Sequence, residues 1–369
     1  MSSSGESYSI ETLRPGEIER VAEFLVGEKA GGLGKDEWLQ KFGIFWDQNP
    51  FFDENQHARG WIIRGKRGAI LGFLGNIPVR YVRKGDEEAA FWATTWFVAE
   101  QARARSLDLF RKFMAQDGIL FDTTPTLGVE FILVKRFKFT RLNSQWIKTD
   151  YLRPVHLGAC VKYVEWRFGN KAWLRPFSLT ACMAAKALTS CRSLIAGPKR
   201  RLEVKVREID VPPDDTDSWW GEYRSRHSYT LVRDKRAMRW LYYAGAFAKS
   251  RKVLEIRKDS SLVGFVALKL IRQTTWGLAE VVDWALLDMS VEILWEIADQ
   301  VRRTVRLWSN DIAYVRVHAF EEGMGKLLSR AGFWNVAGQA RYYYLDRSKH
   351  LSSEGIYSTP VDGDRSLFP

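Results

Sequence analysis

The stretch FWATTWFVAEQARARSLDLFRKFM, Phe91 to Met114, changes character twice. Its first part is an apolar run ending in Trp96-Phe97-Val98, which predicts a buried strand. From about Ala104 onward a helix is predicted, with Leu107, Phe110 and Met114 recurring at helical spacing. Between the two lie Gln101, Arg103 and Arg105, polar side chains at the turn from strand to helix. A helix start offers unpaired backbone N–H groups and the positive end of the helix dipole. With a strand before it and arginines around it, such an elbow is a seat for phosphate. A solvated helix cap is the plainer reading of the same residues.

Working outward, YSIETLRPGEIERVAEFL predicts a short strand and a helix, with Pro15 in the first turn and Ile18, Val21, Ala22 and Leu25 on one face. Residues 59–99 contain three strand-like runs separated by GKRG and RKGDEE. After the elbow helix come a strand (DGILFDTT), a helix (PTLGVEFILVKRF) and a final strand (LNSQWIKTDYL). The second half repeats this outline: a strand series from Lys252 to Leu287 turning at Asp259-Ser260-Ser261, a helix (SVEILWEIADQVRRTVRLW), a strand (IAYVRVHAF), a helix (EEGMGKLLSRAGF) and a last strand (GQARYYYLD). Asp122 to Phe139 and Arg316 to Phe333 span the same 17 positions. A divergent tandem repeat of one α/β unit follows.

At the elbow the sequence resembles the GNAT (Gcn5-related) acyltransferases. Their strand–loop–helix carries Q/R-x-x-G-x-G/A, whose backbone amides hold the pyrophosphate of acyl-coenzyme A. Gln101 stands at the first position, Ala104 at the first glycine and Ser106 at the last small residue. The order of elements looks like tandem-GNAT proteins associated with bacterial exopolysaccharide and cell-envelope biosynthesis. Their second unit opens with a segment similar to VRDKRAMRWLYYAGAF, which keeps Arg233, Asp234 and Trp240 and has Leu241 where an arginine is usual. The resemblance implies an α/β (α+β) fold of two tandem GNAT-like units, each a mixed, mostly antiparallel sheet flanked by helices. The units are expected at residues 1–152 (cofactor-binding) and 206–348 (degenerate cofactor loop), with a basic helical connector at 153–205 and a loosely held tail at 349–369. In the second unit the elbow reads DWALLDMSVEIL, and Asp288 puts a carboxylate where phosphate would sit, so coenzyme A is not expected there.

The chain has 369 residues, enough for two domains, and 46% apolar and 27% charged residues, close to globular averages. Lys and Arg number 56 against 44 Asp and Glu, a formal +12 that favours anionic partners without choosing among them. Cys160, Cys182 and Cys191 form no CxxC pair, which argues against structural zinc or a disulfide framework and fits a reducing cytoplasm. The N-terminus lacks a signal-peptide pattern. The apolar window Pro176 to Gly197 is interrupted by Lys186 and Arg192. It reads as a packed helix, with a helix lying on a membrane surface as the alternative, since Arg175, Lys199, Arg200 and Arg201 flank it.

The resemblance also implies chemistry: an amine attacks a thioester whose carbonyl is polarised by a backbone amide, here of Phe97 or Val98. The cofactor site would comprise Phe97, Val98, Gln101, Ala102, Arg103, Ala104, Arg105 and Ser106. Candidate bases are Asp122, ending the next strand, and Glu130, on the following helix, with Thr94, Thr95 and Thr124 as proton relays. Asp122 with Thr123, Thr124 and Pro125 equally reads as a helix-capping cluster, and Glu130 as a partner for Lys135. No tyrosine stands on that helix to protonate the thiolate. His57, His156, His227, His318 and His350 lack metal spacing, so no metal is expected. GGLGK, Gly31 to Lys35, reads as a flexible acceptor-site loop, and HAFEEGMGK, His318 to Lys326, as a helix start.

The activity implied is transfer from acetyl-CoA or a longer acyl-CoA to an amine acceptor, an amino sugar or another envelope precursor, small or lipid-linked. The location implied is cytoplasmic, with peripheral association at the inner membrane. Two rival readings remain. One is a Fem-type aminoacyltransferase using aminoacyl-tRNA, the reading that calls for nucleic acid. The other is a non-catalytic scaffold.

Overall fold

The computed structural model describes residues 8–143, 145–169, 175–195, 204–319, 322–338, 340–348, 351 and 356–367. The chain begins with β1 (Ser9–Thr12), α1 (Ile18–Gly27), α2 (Lys35–Phe42), β2 (Gly60–Arg64), β3 (Ile70–Arg83) and β4 (Asp86–Val98). After a 3-10 turn over Glu100–Arg105 come α3 (Ser106–Met114), β5 (Ile119–Asp122), α4 (Leu127–Lys135) and β6 (Thr140–Arg141). Next are α5 (Gln145–Lys148), β7 (Thr149–Pro154), α6 (Leu157–Arg167) and α7 (Arg175–Ile195). The second half holds β8 (Val204–Ile209), α8 (Thr216–Ser225), β9 (Tyr229–Leu231), α9 (Lys235–Tyr243), β10 (Arg251–Lys258), β11 (Ser261–Arg272) and β12 (Gly277–Leu286). It ends with α10 (Val291–Trp308), β13 (Ile312–His318), α11 (Glu322–Arg330), β14 (Trp334–Ala337), β15 (Tyr343–Leu345) and β16 (Ile356–Tyr357).

Among the described residues these strands form two sheets. One runs β1-β2-β3-β4-β5-β15-β6, with β9 beside β3 and β16 beside β9; the other runs β8-β10-β11-β12-β13-β7-β14. The main orders match position for position, with parallel β4–β5 corresponding to parallel β12–β13. Phe139 and Phe333, the landmarks of the sequence repeat, each stand just before a corresponding short strand, β6 and β14.

The last strand of each unit is exchanged. β7, read from sequence as closing the first unit, pairs with β13 and β14 in the second sheet. β15, read as closing the second unit, pairs with β5 and β6 in the first. Two other expectations are corrected. LNSQWIKTDYL is not one strand but the short α5 followed by β7. GGLGK leads directly into α2, where the Glu37 carboxylate accepts from the Gly34 N–H at 2.7 Å, and α2 buries Trp38 and Phe42.

Helices α3 and α4 cover one face of the first sheet through Leu109, Phe110, Phe113 and Leu133. α10 and α11 cover one face of the second through Ile293, Ile297, Val301 and Leu328. The two remaining faces share one large core, to which α1, α2, α8 and α9 contribute. Each fully buried large apolar side chain there contributes about 1.5–3 kcal/mol. The tail was expected to be loosely held, yet over 356–367 it runs through this shared core. Ile356, Val361 and Leu367 are buried in it, and the Val361 N–H donates to the Val282 carbonyl at 2.9 Å.

Candidate active site

β4 is paired with β5 from Ala90↔Ile119 to Ala93↔Asp122, and then continues to Val98 paired with β3 alone. Where the two part, β4 carries a bulge. Its pairing with β3 skips from Gly75↔Thr94 to Phe73↔Phe97, so Thr95 and Trp96 together face one residue. Thr95 has φ 53°, a left-handed conformation that costs a β-branched residue about 1–3 kcal/mol. Such strain persists only where the surroundings enforce it.

The gap beside the bulge is a cleft of about 230 Å³ lined by Ala93–Trp96 on one wall and by Asp122, Thr124–Thr126 and Val129 on the other. The Ala99 N–H donates to Leu71 on β3. Because amides alternate sides along a strand, the Val98 N–H is turned to the open edge and that of Phe97 toward β3. Trp96 stacks on Phe110 at 4.6 Å, and its buried indole N–H has no protein partner.

The tail reaches the cleft from the shared core. Asp364, which sequence reading missed, accepts hydrogen bonds from Thr94 (2.7 Å), Thr123 (3.1 Å) and Thr124 (3.2 Å). Thr94 in turn lies 3.2 Å, Oγ1 to Oγ1, from Thr95 at the bulge. Asp122 is buried and accepts from the Thr124 N–H at 3.4 Å. Burial, and then the charge of Asp364, push its carboxyl up to about 7. Lys41 of α2 feels the charge of Asp364, and its pKa is held below the usual value. Burial pulls its pKa down while Asp364 pulls it up.

Of the predicted residues, Asp122 and Thr124 are brought together here, with Thr94 and Thr95. The capping alternative for Asp122 does not occur: Thr126 caps α4, accepting from the Val129 N–H. Glu130 is placed elsewhere. It pairs with Arg341 at 3.3 Å and accepts from the Tyr343 hydroxyl, bracing α4 against the exchanged β15 rather than lining the cleft.

The elbow lies open beyond the cleft. Gln101, Arg103, Ala104 and Arg105 are exposed, Ser106 is half-buried and Ala102 is buried beneath them. The turn there is 3-10, so α3 begins at Ser106 rather than near Ala104. Arg105 is engaged by Asp108 at 2.9 Å.

In the second sheet β12 leaves β13 after Glu280↔Arg316. Asp288 at its elbow accepts from the Ser290 N–H (2.8 Å) and pairs with Lys258 (3.1 Å). Burial alone would raise its pKa, but these partners outweigh it and hold the carboxyl below its usual value. His318 sits between Asp150 (2.9 Å) and Glu280 (3.0 Å). Among the described residues no cluster suits a metal ion.

The resemblance noted in VRDKRAMRWLYYAGAF falls on structural residues. Arg233 is fully buried between Asp283 (2.8 Å) and Asp362 (2.9 Å), Asp234 caps α9 by accepting from Ala237, and the Trp240 indole donates to the Ile44 carbonyl.

No family model matches the chain, and no curated protein matches it in sequence. Solved structures do match its fold. Saccharomyces cerevisiae N-myristoyltransferase with bound myristoyl-CoA is 12% identical with a TM-score of 0.56, over 95% of this chain and 85% of that one. A second structure of that enzyme with myristoyl-CoA is 13% identical with a TM-score of 0.56, over 96% and 91%. A conserved Enterococcus faecalis protein of unknown function, a probable N-acyltransferase, is 7% identical with a TM-score of 0.55, over 92% and 72%. The fold is therefore the duplicated GNAT fold that the resemblance implied.

Proposed function

We propose that the protein is an acyl-CoA-dependent N-acyltransferase whose reaction occurs in the cleft between β4 and β5. The observation that carries this reading is the strained bulge at Thr95, placed where β4 leaves β5 and facing a buried Asp122. The bound myristoyl-CoA of the N-myristoyltransferase neighbours supports a thioester as the acyl donor.

In this reading the diphosphate of acetyl-CoA or a longer acyl-CoA rests on the amides opening α3. Arg103 supplies charge and Gln101 hydrogen bonds, while Asp108 offsets Arg105. The thioester lies along the open edge of β4. The amine nitrogen forms a bond to the carbonyl carbon, and the Val98 N–H takes the charge that develops on the oxygen. Collapse breaks the carbon–sulfur bond. The ammonium proton passes to Asp122, and the thiolate leaves to be protonated by solvent. A base is most effective when its pKa lies near the working pH, which burial and Asp364 arrange for Asp122. Asp364 itself aligns Thr94, Thr123 and Thr124. The basic composition and the sequence resemblance support an amino-sugar or other envelope-precursor amine as acceptor.

Calorimetry with acetyl-CoA and longer acyl-CoAs tests the reading. Binding lost on replacing Gln101 and Arg103 with Ala supports it. No heat at millimolar ligand, with the fold intact, overturns it.

A further inference from the structure

The cleft between β4 and β5 has two unlike sides. Toward α3 and α4 it is bounded by Trp96 and Val129, both packed against the apolar core beneath those helices. On the other side it meets Thr94 of β4. Thr94 shares a face of the strand with Trp92, two residues earlier, and Trp92 lies in the shared core. Here the opening is closed by hydroxyls and a carboxylate. Asp364 accepts from Thr94, Thr123 and Thr124, and Asp364 (7% exposed), Thr94 (3%) and Thr123 (9%) are all buried. Val361 and Leu367, on either side of Asp364 in the tail, are anchored in the shared core behind it. The tail is thus a plug that turns a polar face to the cleft.

The space in front of the plug is short. A water takes about 30 Å³ of liquid and a methylene about as much, so 230 Å³ holds about eight such groups. In the acyl-transfer reading that space takes the acyl chain, the thioester carbonyl and the attacking nitrogen, because the amine has to reach Asp122 in the same cleft. About four carbons are left for the chain. A longer chain would have to push through the plug. It would part a buried carboxylate from its three hydroxyl donors and set methylenes against it, and nothing in an alkyl chain replaces the lost hydrogen bonds. The fold itself sets no such limit, since its matches include N-myristoyltransferase with bound myristoyl-CoA.

We propose that Asp364, with Thr94, Thr123 and Thr124 bound to it, limits the acyl group to about four carbons, so that the donor is acetyl-CoA or another short acyl-CoA. This deepens the acyl-transfer reading and rests on it. Calorimetry on the full chain compares coenzyme A, acetyl-CoA, butyryl-CoA and octanoyl-CoA, each below its micelle-forming concentration. Acetyl-CoA and butyryl-CoA should bind within about threefold of each other, and octanoyl-CoA at least about tenfold more weakly. The double variant Thr94→Ala/Asp364→Ala cuts the plug back, and its affinity for octanoyl-CoA relative to acetyl-CoA should rise about tenfold. If circular dichroism shows that variant to be misfolded, the series on the unaltered protein decides alone. Octanoyl-CoA binding the unaltered protein as tightly as acetyl-CoA overturns the limit and leaves the acyl-transfer reading standing. So does a folded double variant that keeps the original ratio. If none of the four ligands binds, coenzyme A included, the acyl-transfer reading fails and the limit fails with it.

Discussion

In the first sheet β4 leaves β5 at Ala93, and a cleft of about 230 Å³ opens beside it. In the second, β12 leaves β13 after Glu280, and the chain's own tail lies along the departing strand. There Val361 bonds Val282, the Tyr357 hydroxyl donates to the Trp284 carbonyl, and Thr359 donates to Asp283. Both departing strands carry a bulge, at Thr95–Trp96 and at Val282. One duplicated unit thus has two outcomes. The second opening has become a seat for the tail, and the tail then delivers Asp364 to the first. The fastening is Arg233, held ionised between Asp283 and Asp362: burial opposes its charge, and the two carboxylates outweigh burial.

The sharpest way to break this contrast is at the proposed proton acceptor. Asp122→Asn should lower turnover about 10²–10⁴-fold in a steady-state assay. The same change should raise the melting temperature at pH 8. The pKa of Asp122 lies above its unfolded value of 3.8, so the fold holds that proton more tightly than the unfolded chain does. Its contribution to stability is full below pH 3.8 and is lost as pH rises toward 7. An amide stays neutral throughout. Melting that is unchanged or lower at pH 8 would show that the carboxyl is not held in this way.

Arg233→Ala should cost about 3–5 kcal/mol in denaturant unfolding, because two buried carboxylates lose their counter-charge. Transfer should fall with it as the tail detaches. Retained activity in the folded fraction would separate the tail from catalysis. Gly363→Ala is gentler. A Cβ there would meet Thr123 Oγ1 at 2.5 Å, so the tail must shift at Asp364, and turnover should drop about tenfold while the melting temperature barely moves.

Asp364→Asn sharpens the picture further. Without that neighbouring charge the Asp122 pKa falls, so the acid limb of the pH–rate profile should move to lower pH. A limb that moves up, or stays, would remove Asp364 from the electrostatics of the site. The smallest effect belongs to the second opening. His318→Gln should leave turnover near that of the unaltered protein. Burial opposes protonation of His318, but Asp150 and Glu280 outweigh it and hold its pKa above the usual value. The stability it lends is therefore full below pH 6.5 and fades as pH rises through the folded pKa, and the variant should lose that increment.

Part of what lines the cleft was legible from residues. Asp122 and Thr124 sit at or just past the end of β5 and Thr94 and Thr95 lie within β4, and periodicity placed both strands. Glu130 was misleading because helix position alone does not say which neighbour a side chain meets; its partners Arg341 and Tyr343 arrive just before and at the start of an exchanged strand. Asp364 gave no signal at all. It stands in an aperiodic tail, and its role depends on a path through the shared core that no local pattern encodes. Arg233 showed itself as part of a motif, but the motif did not say that its charge would be buried.

The sequence by itself determined the two units, the order of their elements and the strand-to-helix elbow, because hydrophobic period and turn chemistry act over a few residues. Only the tertiary structure decided which opening stays free, which strands change sheets and which carboxylate joins Asp122. Those outcomes rest on contacts between residues more than two hundred positions apart, such as Thr94 and Asp364, whose pairing follows from packing and burial of charge rather than from any local preference.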